Sequence, residues 1–445
     1  MKPPRAEVVG GGLAGCEAAW QLAERGIEVT LREMKPVRRS DAHRSDGLAE
    51  LVCSNSLRSD DIRNAAGLLK AELETLGSLV MRAARESSVP AGTALAVDRS
   101  VFSERITGLV ESHPRIRVVR GEVTEVPDGP VILAPGPLCS DALSGAVAEL
   151  TGAAYLSFYD AVAPIVDAET VDRSKVFWAS RYEHGSDYLN CPMNREEYER
   201  FHAALVKAER VPVKGFETGR VFEGCMPIEE MADRGLDTMR FGPLKPAGIV
   251  HPVTGRPCYA LVQLRRENAG GTMLNLVGFQ THLRFSEQRR VFGMIPGLEN
   301  AEFLRYGVMH RNTYIDAPRL LDGTFTLRRE PHVQFAGQIT GVEGYIESAA
   351  SGFLAGVFLA ARLLRLPQPQ FDNTTALGGL IAHITNGASA DYQPMNINFG
   401  LMQPLAVRIR NKRERSEQLA RRALDNICAL RAGSPLWQAD GSTCG

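Results

Sequence analysis

The stretch Val8-Val-Gly-Gly-Gly-Leu-Ala-Gly15 constrains this chain more than any other. An apolar strand beginning at Ala6 runs into Gly10-x-Gly12-x-x-Gly15, a helix continues through Cys16 to Glu24, and a second strand from Ile27 to Arg32 ends at Glu33. The three glycines of such a unit differ in purpose. The first permits a tight turn, the second admits a pyrophosphate, and the third lets helix and strand pack closely. Phosphate charge then meets the helix N-terminus, where unpaired N–H groups and the dipole favour an anion. Gly10, Gly11, Gly12, Leu13, Ala14 and Gly15 are therefore expected to hold a dinucleotide, with Glu33 accepting from a ribose hydroxyl. NAD and FAD satisfy this unit equally well.

Two later stretches favour FAD. Pro130-Val-Ile-Leu-Ala-Pro-Gly-Pro137 reads as a buried strand ending in a turn at Gly136, and resembles the "ATG" strand of two-dinucleotide flavoproteins, with Pro135 where Thr is usual. Val333-Gln-Phe-Ala-Gly-Gln338 is another strand, ending at Gly337 and Gln338. It is followed by Gly341-Val-Glu-Gly-Tyr-Ile-Glu-Ser-Ala-Ala-Ser-Gly352 and a helix of small residues. This return resembles the flavin-pyrophosphate segment of glutathione-reductase-like domains.

A chain of 445 residues exceeds one compact core, and ~150 residues per domain suggests two or three units. Residues 163–300 differ in texture, with loop-rich patches such as Phe241 to Gly248 and strands at Tyr259–Leu264 and Leu274–Phe279. The expected organisation is α/β. A Rossmann-like, glutathione-reductase-like FAD-binding domain is built from residues 1–162 and 301–370, with an inserted α+β domain over 163–300 and a C-terminal loop and helical segment over 371–445. Within the first part, Leu69, Leu73, Leu76, Val80 and Ala84 fall at helical spacing and predict one amphipathic helix over 64–85. Near the end, Lys412 to Leu430 predicts a helix with Leu419, Ala423, Leu424 and Ile427 on one face and Arg413, Arg421 and Arg422 on the other.

A formal net charge of -1 lends no support to a highly basic nucleic-acid binder, although a local basic patch is compatible with it. No run approaches the ~20 uninterrupted apolar residues of a bilayer span, and Met1 to Arg5 carry no signal-peptide core, so a cytoplasmic protein without membrane contact is expected. The eight cysteines are scattered without CxxC pairs, which suits neither a disulfide framework nor a zinc site, and no metal is expected. Cys16 and Cys428 sit at helical spacing among apolar neighbours and read as packing residues. Cys53 in "ELVCSNSL", Cys225 in Val221-Phe-Glu-Gly-Cys-Met-Pro-Ile228 and Cys191 in Asn190-Cys-Pro192 read as loop thiols.

Taken together, the Gly10–Gly15 fingerprint, "ELVCSNSL", "GLLKAEL", "VPAGTALAVDR", "YLNCPM", "GFQT", "IPGLENAEFLRYGVMHRNTY" and "QPMNINFGL" resemble the folate- and FAD-dependent tRNA (uracil-5-)-methyltransferases, the TrmFO family, from Val8 to about Leu401. The resemblance implies that 5,10-methylenetetrahydrofolate supplies a one-carbon unit by way of reduced FAD to the tRNA T-loop uridine that becomes ribothymidine, with NAD(P)H as reductant. It also implies two catalytic cysteines: Cys225 as nucleophile toward uracil, and Cys53 beside the flavin and the transferred carbon. Tyr345 is a candidate to cover the flavin ring, and Arg311 and Asn312 are candidates for folate or phosphate contacts. Arg38, Arg39, Arg44, Arg289, Arg290 and the arginines from Arg408 to Arg422 are available for phosphates.

Rival readings are a GidA/MnmG-like enzyme of the wobble uridine and a small-molecule NAD(P)H:FAD oxidoreductase. The first resembles a longer chain and fits "ELVCSNSL" and "QPMNINFGL" poorly. The second usually brings another GxGxxG, which this sequence lacks.

Overall fold

The computed structural model describes residues 3–40, 42–152, 156–161, 163–181, 185–211, 226–307, 309–386 and 392–437. Its first core is a six-stranded sheet in the order Thr326–Leu327, Glu330–Phe335, Val131–Leu133, Arg5–Val9, Glu28–Glu33 and Ile116–Arg120. All neighbours run parallel except the short edge strand Thr326–Leu327. Strands covered on both faces need apolar residues in succession, and Val131, Ile132 and Leu133 are each fully buried. Helix Leu13–Glu24 lies on this sheet and packs against helix Tyr345–Leu364. The approach is close because Gly352 and Gly356 face the Ala14 and Ala18 carbonyls, leaving no room for a Cβ.

Helix Tyr345–Leu364 is long and apolar enough by length and composition to cross a membrane, although Glu347 and Arg362 interrupt its apolar run. Its most apolar window is 83% buried against the rest of the protein, as a core helix is.

The helix expected over 64–85 is two helices, Ala65–Leu76 and Leu79–Glu86. Gly77 adopts a left-handed φ of 87° that ends the first, and the Ser78 side chain caps the second by accepting from Met81 N. The apolar periodicity continues across the break, so the pattern alone merges them. Buried Glu17 completes the corner by accepting from Ser78 Oγ at 2.7 Å and from Val80 N at 2.8 Å.

A second core belongs to the insertion. Its six-stranded sheet runs Phe177–Ala179, Tyr188–Met193, Ala260–Arg266, Met273–Leu276, Ile165–Asp167 and Phe303–Arg305, antiparallel throughout. Phe303–Arg305 joins this sheet although it lies beyond residue 300. One face carries Leu189, Cys191, Val262, Leu264, Leu274 and Leu276 into an apolar core with Tyr198, Phe201, Phe279 and Phe292. The opposite face carries a register row of Tyr188, Arg265, Asn275, Ile165 and Arg305, and it turns toward the first domain. Cys191 is thus no loop thiol: it sits fully buried in a central strand, and burial pushes its pKa up.

The chain passes between the domains along an antiparallel pair, Leu156–Ala161 and Met309–Tyr314. Arg311 and Asn312 lie on the second of these strands, and their side chains are outside the described residues. The C-terminal segment packs back on the first domain. Helix Lys412–Gly433 buries Ser416, Leu419, Ala420, Ala423 and Ile427, leaving Arg413 and Arg421 in solvent, and Trp437 Nε1 donates to Leu76 O at 3.2 Å.

Candidate active site

Parallel strands ending at Val9, Glu33, Leu133 and Phe335 place their carboxyl ends together, the edge of an α/β sheet at which ligands collect. An open cleft of about 1080 Å³ lies there. Its lining brings together Gly10, Gly11, Gly12, Leu13, Ala14, Glu33, Gly136, Gly337, Gln338 and Tyr345, which the sequence offers from five separate stretches. Gly15 is not part of the lining; it packs against the Gly10 carbonyl, where any Cβ would collide.

The cradle fits a dinucleotide on its own geometry. Gly10 has φ 106° and sits against the Ala134 carbonyl, whereas a Cβ on Gly12 would meet nothing within 4 Å. The space above Gly12 is what a pyrophosphate needs. Helix Leu13–Glu24 begins there with no side-chain cap and no acidic residue in its first turn, so its first N–H groups face the cleft. Glu33 is buried and accepts from Gly11 N at 2.7 Å and Lys35 N at 2.9 Å. Each carboxylate oxygen keeps a lone pair for a ribose hydroxyl. His43 also lines the cleft, with Nδ1 2.7 Å from Ser40 Oγ, and burial and then the neighbouring Lys35 charge hold its pKa below the usual histidine value.

Tyr345 links this cleft to the loop of Cys53. It lines the cleft, and its hydroxyl accepts the Cys53 N–H at 2.7 Å and the Ser54 N–H at 3.1 Å. Burial, and next the proximity of Cys53, push the phenol pKa up, so the hydroxyl stays protonated. Three arginines grip the same loop. Arg99 Nη1 donates to Leu51 O at 3.1 Å, Arg305 Nη2 to Val52 O at 2.6 Å, and Arg265 to Ser54 Oγ at 2.9 Å and Asn55 Oδ1 at 3.0 Å. Asn55, fully buried, returns bonds to Val97 O at 3.1 Å and Arg266 O at 2.9 Å. Burial and then Arg99 lower the pKa of the Arg305 guanidinium, while Cys53 raises it.

Behind the loop, Arg58 pairs with fully buried Glu347 at 2.7 Å, and Ile397 N donates to the same carboxylate at 3.0 Å. Glu347 is two residues from Tyr345, so these bonds tie "GYIES" and "QPMNINFGL" to Arg58, the residue that follows "ELVCSNSL". Buried Lys70 donates to Leu57 O, Ser59 O and Ala66 O at 2.9, 2.6 and 3.2 Å, and burial brings its pKa down to about 8.

Cys225 lies outside the described residues. Arg99, Arg265 and Arg305 were not singled out from the sequence. Arg99 and Arg305 stand inside "VPAGTALAVDR" and "IPGLENAEFLRYG" without a spacing that marks them, and Arg265 looks like an ordinary strand residue. Several arginines expected for phosphates are engaged locally: Arg38 pairs with Glu122 at 2.7 Å, Arg39 with Asp46, and Arg290 with Glu287 at 2.6 Å. Among the described residues no group of three or more His, Cys, Asp or Glu could hold a metal ion.

Known proteins resemble this chain in sequence or in fold. A family model described as glucose inhibited division protein A matches residues 5–367. A methylenetetrahydrofolate--tRNA-(uracil-5-)-methyltransferase TrmFO of Geobacter sulfurreducens is 59% identical over 424 residues, covering 94% of this chain and 97% of that protein. A protein of the same name from Bacillus subtilis is 54% identical over 428 residues, covering 96% and 98%. Among solved structures, Aquifex aeolicus GidA in the form II crystal superposes with a TM-score of 0.69 at 16% identity, covering 96% of this chain and 73% of that chain, a likeness of fold. With relatives this similar along almost its whole length, the chain belongs to the TrmFO family, within the wider glucose inhibited division protein A family.

Proposed function

We propose that this chain forms 5-methyluridine in the T-loop of tRNA, in the cytoplasm, taking the one-carbon unit from 5,10-methylenetetrahydrofolate with FAD in the cleft and NAD(P)H as reductant. The observation that carries this reading is the Tyr345 hydroxyl. Tyr345 lines the dinucleotide cleft while its hydroxyl accepts from the backbone of the Cys53 loop, which supports thiol chemistry beside the cofactor.

Bound FAD supplies one-carbon carriage and hydride, chemistry that no side chain provides. Gly10 to Ala14 would hold its pyrophosphate and Glu33 its ribose, with Gly337 and Gln338 completing the lining from the returning strand. What the protein itself must do is activate uracil. C5 of uracil is a poor nucleophile, and thiolate addition at C6, assigned to Cys225, turns it into an enolate carbon able to attack a methylene. The C5 proton must then leave before the thiol is expelled, and Cys53 is assigned either to take it or to handle the transferred carbon. Arg99 and Arg305 donate to the carbonyls of Leu51 and Val52 just before that thiol, and Tyr345 holds its peptide in place. The target base must be turned out of the folded T-loop, at a cost of a few kcal/mol.

The test is methylation of undermodified tRNA with labelled methylenefolate by flavin-loaded protein, beside Cys225→Ala. A colourless protein that takes up no FAD, or a methyl group drawn only from S-adenosylmethionine, would exclude this function. Full methylation by Cys225→Ala would remove that residue from the nucleophile role.

A further inference from the structure

Three aromatic rings leave the core of the inserted domain as one column. Phe303 leans on core Phe292 at a centroid distance of 6.4 Å. Tyr306 lies almost flat on Phe303 at 5.4 Å and 8°, and Phe285 covers Tyr306 at 4.7 Å and 18°. Phe285 is 53% exposed, an unusual place for a phenyl ring already aligned by stacking.

The column is rigid. Fully buried Gln288 both accepts from Gly307 N and donates to Gly307 O, each at 2.8 Å, which locks residues 305–307 to helix Phe285–Phe292. Arg289 Nη2 donates to Tyr306 Oη at 3.0 Å and so orients the middle ring. Around the outer ring, Arg284, Arg289 and Arg290 are all exposed. Arg290 pairs with Glu287 at 2.6 Å and Arg284 approaches Glu209 at 3.4 Å, whereas Arg289 has no carboxylate partner among the described residues. Next to Tyr306 in the chain, Arg305 donates to Val52 O of the Cys53 loop at 2.6 Å. One end of the column thus rests on the core of the inserted domain and the other opens to solvent, with Arg284 next to Phe285 in sequence and Arg289 one helical turn on.

A flat, preorganised aromatic face with cations at its rim suits an unpaired nucleobase and its flanking phosphates, since every base has a face to stack and none must be read. We propose that the exposed face of Phe285 is a landing platform for one unpaired base of the tRNA, with Arg289 contacting an adjacent phosphate. This rests on the tRNA methyltransferase reading and adds to it the surface that holds the RNA.

The experiment is binding of an unmodified tRNA transcript to full-length, flavin-loaded protein over a series of salt concentrations. Phe285→Ala is expected to weaken binding about tenfold, within the range of one lost base stack. Phe285→Trp should stay within about twofold of the parent, Phe285→Leu should behave like Ala, and Arg289→Ala should lower the salt slope by about one. Flavin absorbance and tRNA-independent NAD(P)H oxidation should not change, because Phe285 touches neither cleft nor cysteine loop. Parent-like affinity of Phe285→Ala would overturn the platform alone. Parent-like affinity of Phe285→Leu would overturn stacking in favour of plain apolar docking. A parent protein that binds no tRNA would overturn the methyltransferase reading and the platform with it.

Discussion

The Tyr345 hydroxyl accepts the backbone N–H of Cys53 at 2.7 Å, across 292 residues of sequence. It also takes the Ser54 N–H at 3.1 Å, so a single phenol satisfies two donors in a loop that makes no regular ladder there. Tyr345→Phe would keep the ring and strand both N–H groups, costing about 1–3 kcal/mol. The expected result is a lower melting temperature and a several-fold change in the rate of Cys53 alkylation, read by mass spectrometry of its peptide, with flavin retained. Identical alkylation kinetics in variant and parent would show that the phenol does not control the loop.

Removing the Arg305 cation should make Cys53 less reactive. Arg305→Met deletes the guanidinium beside Val52 O, and the thiolate loses a favourable charge. Alkylation at neutral pH should slow several-fold, with Arg305→Lys recovering part of the rate. An equal loss in both variants would mean that the planar fork, and not the charge, is what matters.

Gly10 and Gly12 should fail in different ways. An alanine Cβ at Gly10 collides with the Ala134 carbonyl and must hold φ 106°, so Gly10→Ala should yield little folded protein. Gly12→Val points only into open space, so it should fold normally and melt like the flavin-free parent, while flavin affinity falls about tenfold or more. Retention of stoichiometric flavin by Gly12→Val would refute the pyrophosphate assignment.

Stability should depend on pH through Glu72. Its buried carboxylate accepts from Ala376 N at 2.7 Å and Leu377 N at 2.9 Å at the start of helix Ala376–Thr385, yet desolvation outweighs these bonds and raises its pKa from 4.5 to about 8. The folded state therefore binds this proton more tightly than the unfolded chain. That contribution is fully present below about 4.5 and is lost as pH rises through about 8. Glu72→Gln lacks the titration, so the stability difference between parent and variant, from denaturant melts at pH 5, 7 and 9, should shrink as pH rises. A difference that grows with pH would mean that the helix-capping bonds win over burial.

Much of the lining of the cleft was legible in the sequence. Gly10 to Ala14, the strand ending at Glu33 and the return through Gly337 to Tyr345 rest on local rules: turn geometry, apolar runs and a helix start are each encoded within about a dozen neighbours. Local rules fail where a pattern crosses a break. The apolar stripe of Leu69 to Ala84 runs unbroken while Gly77 turns the chain, and Cys191 looked like a loop thiol although its strand is the second of six.

What the sequence by itself determined is a chain that must build a parallel sheet around a glycine turn open to phosphate, because strand, glycines, helix and carboxylate follow one another without interruption. Only the tertiary structure decided which groups surround Cys53. Arg265 and Arg305 stand in one register row of the inserted sheet, and Arg99 begins a helix of the first domain. Their convergence on the carbonyls of Leu51, Val52 and Cys53 and on the Ser54 hydroxyl comes from the packing of two domains. No spacing within a sequence records that, because the electrostatics of the loop depend on distances that exist only once both cores have formed.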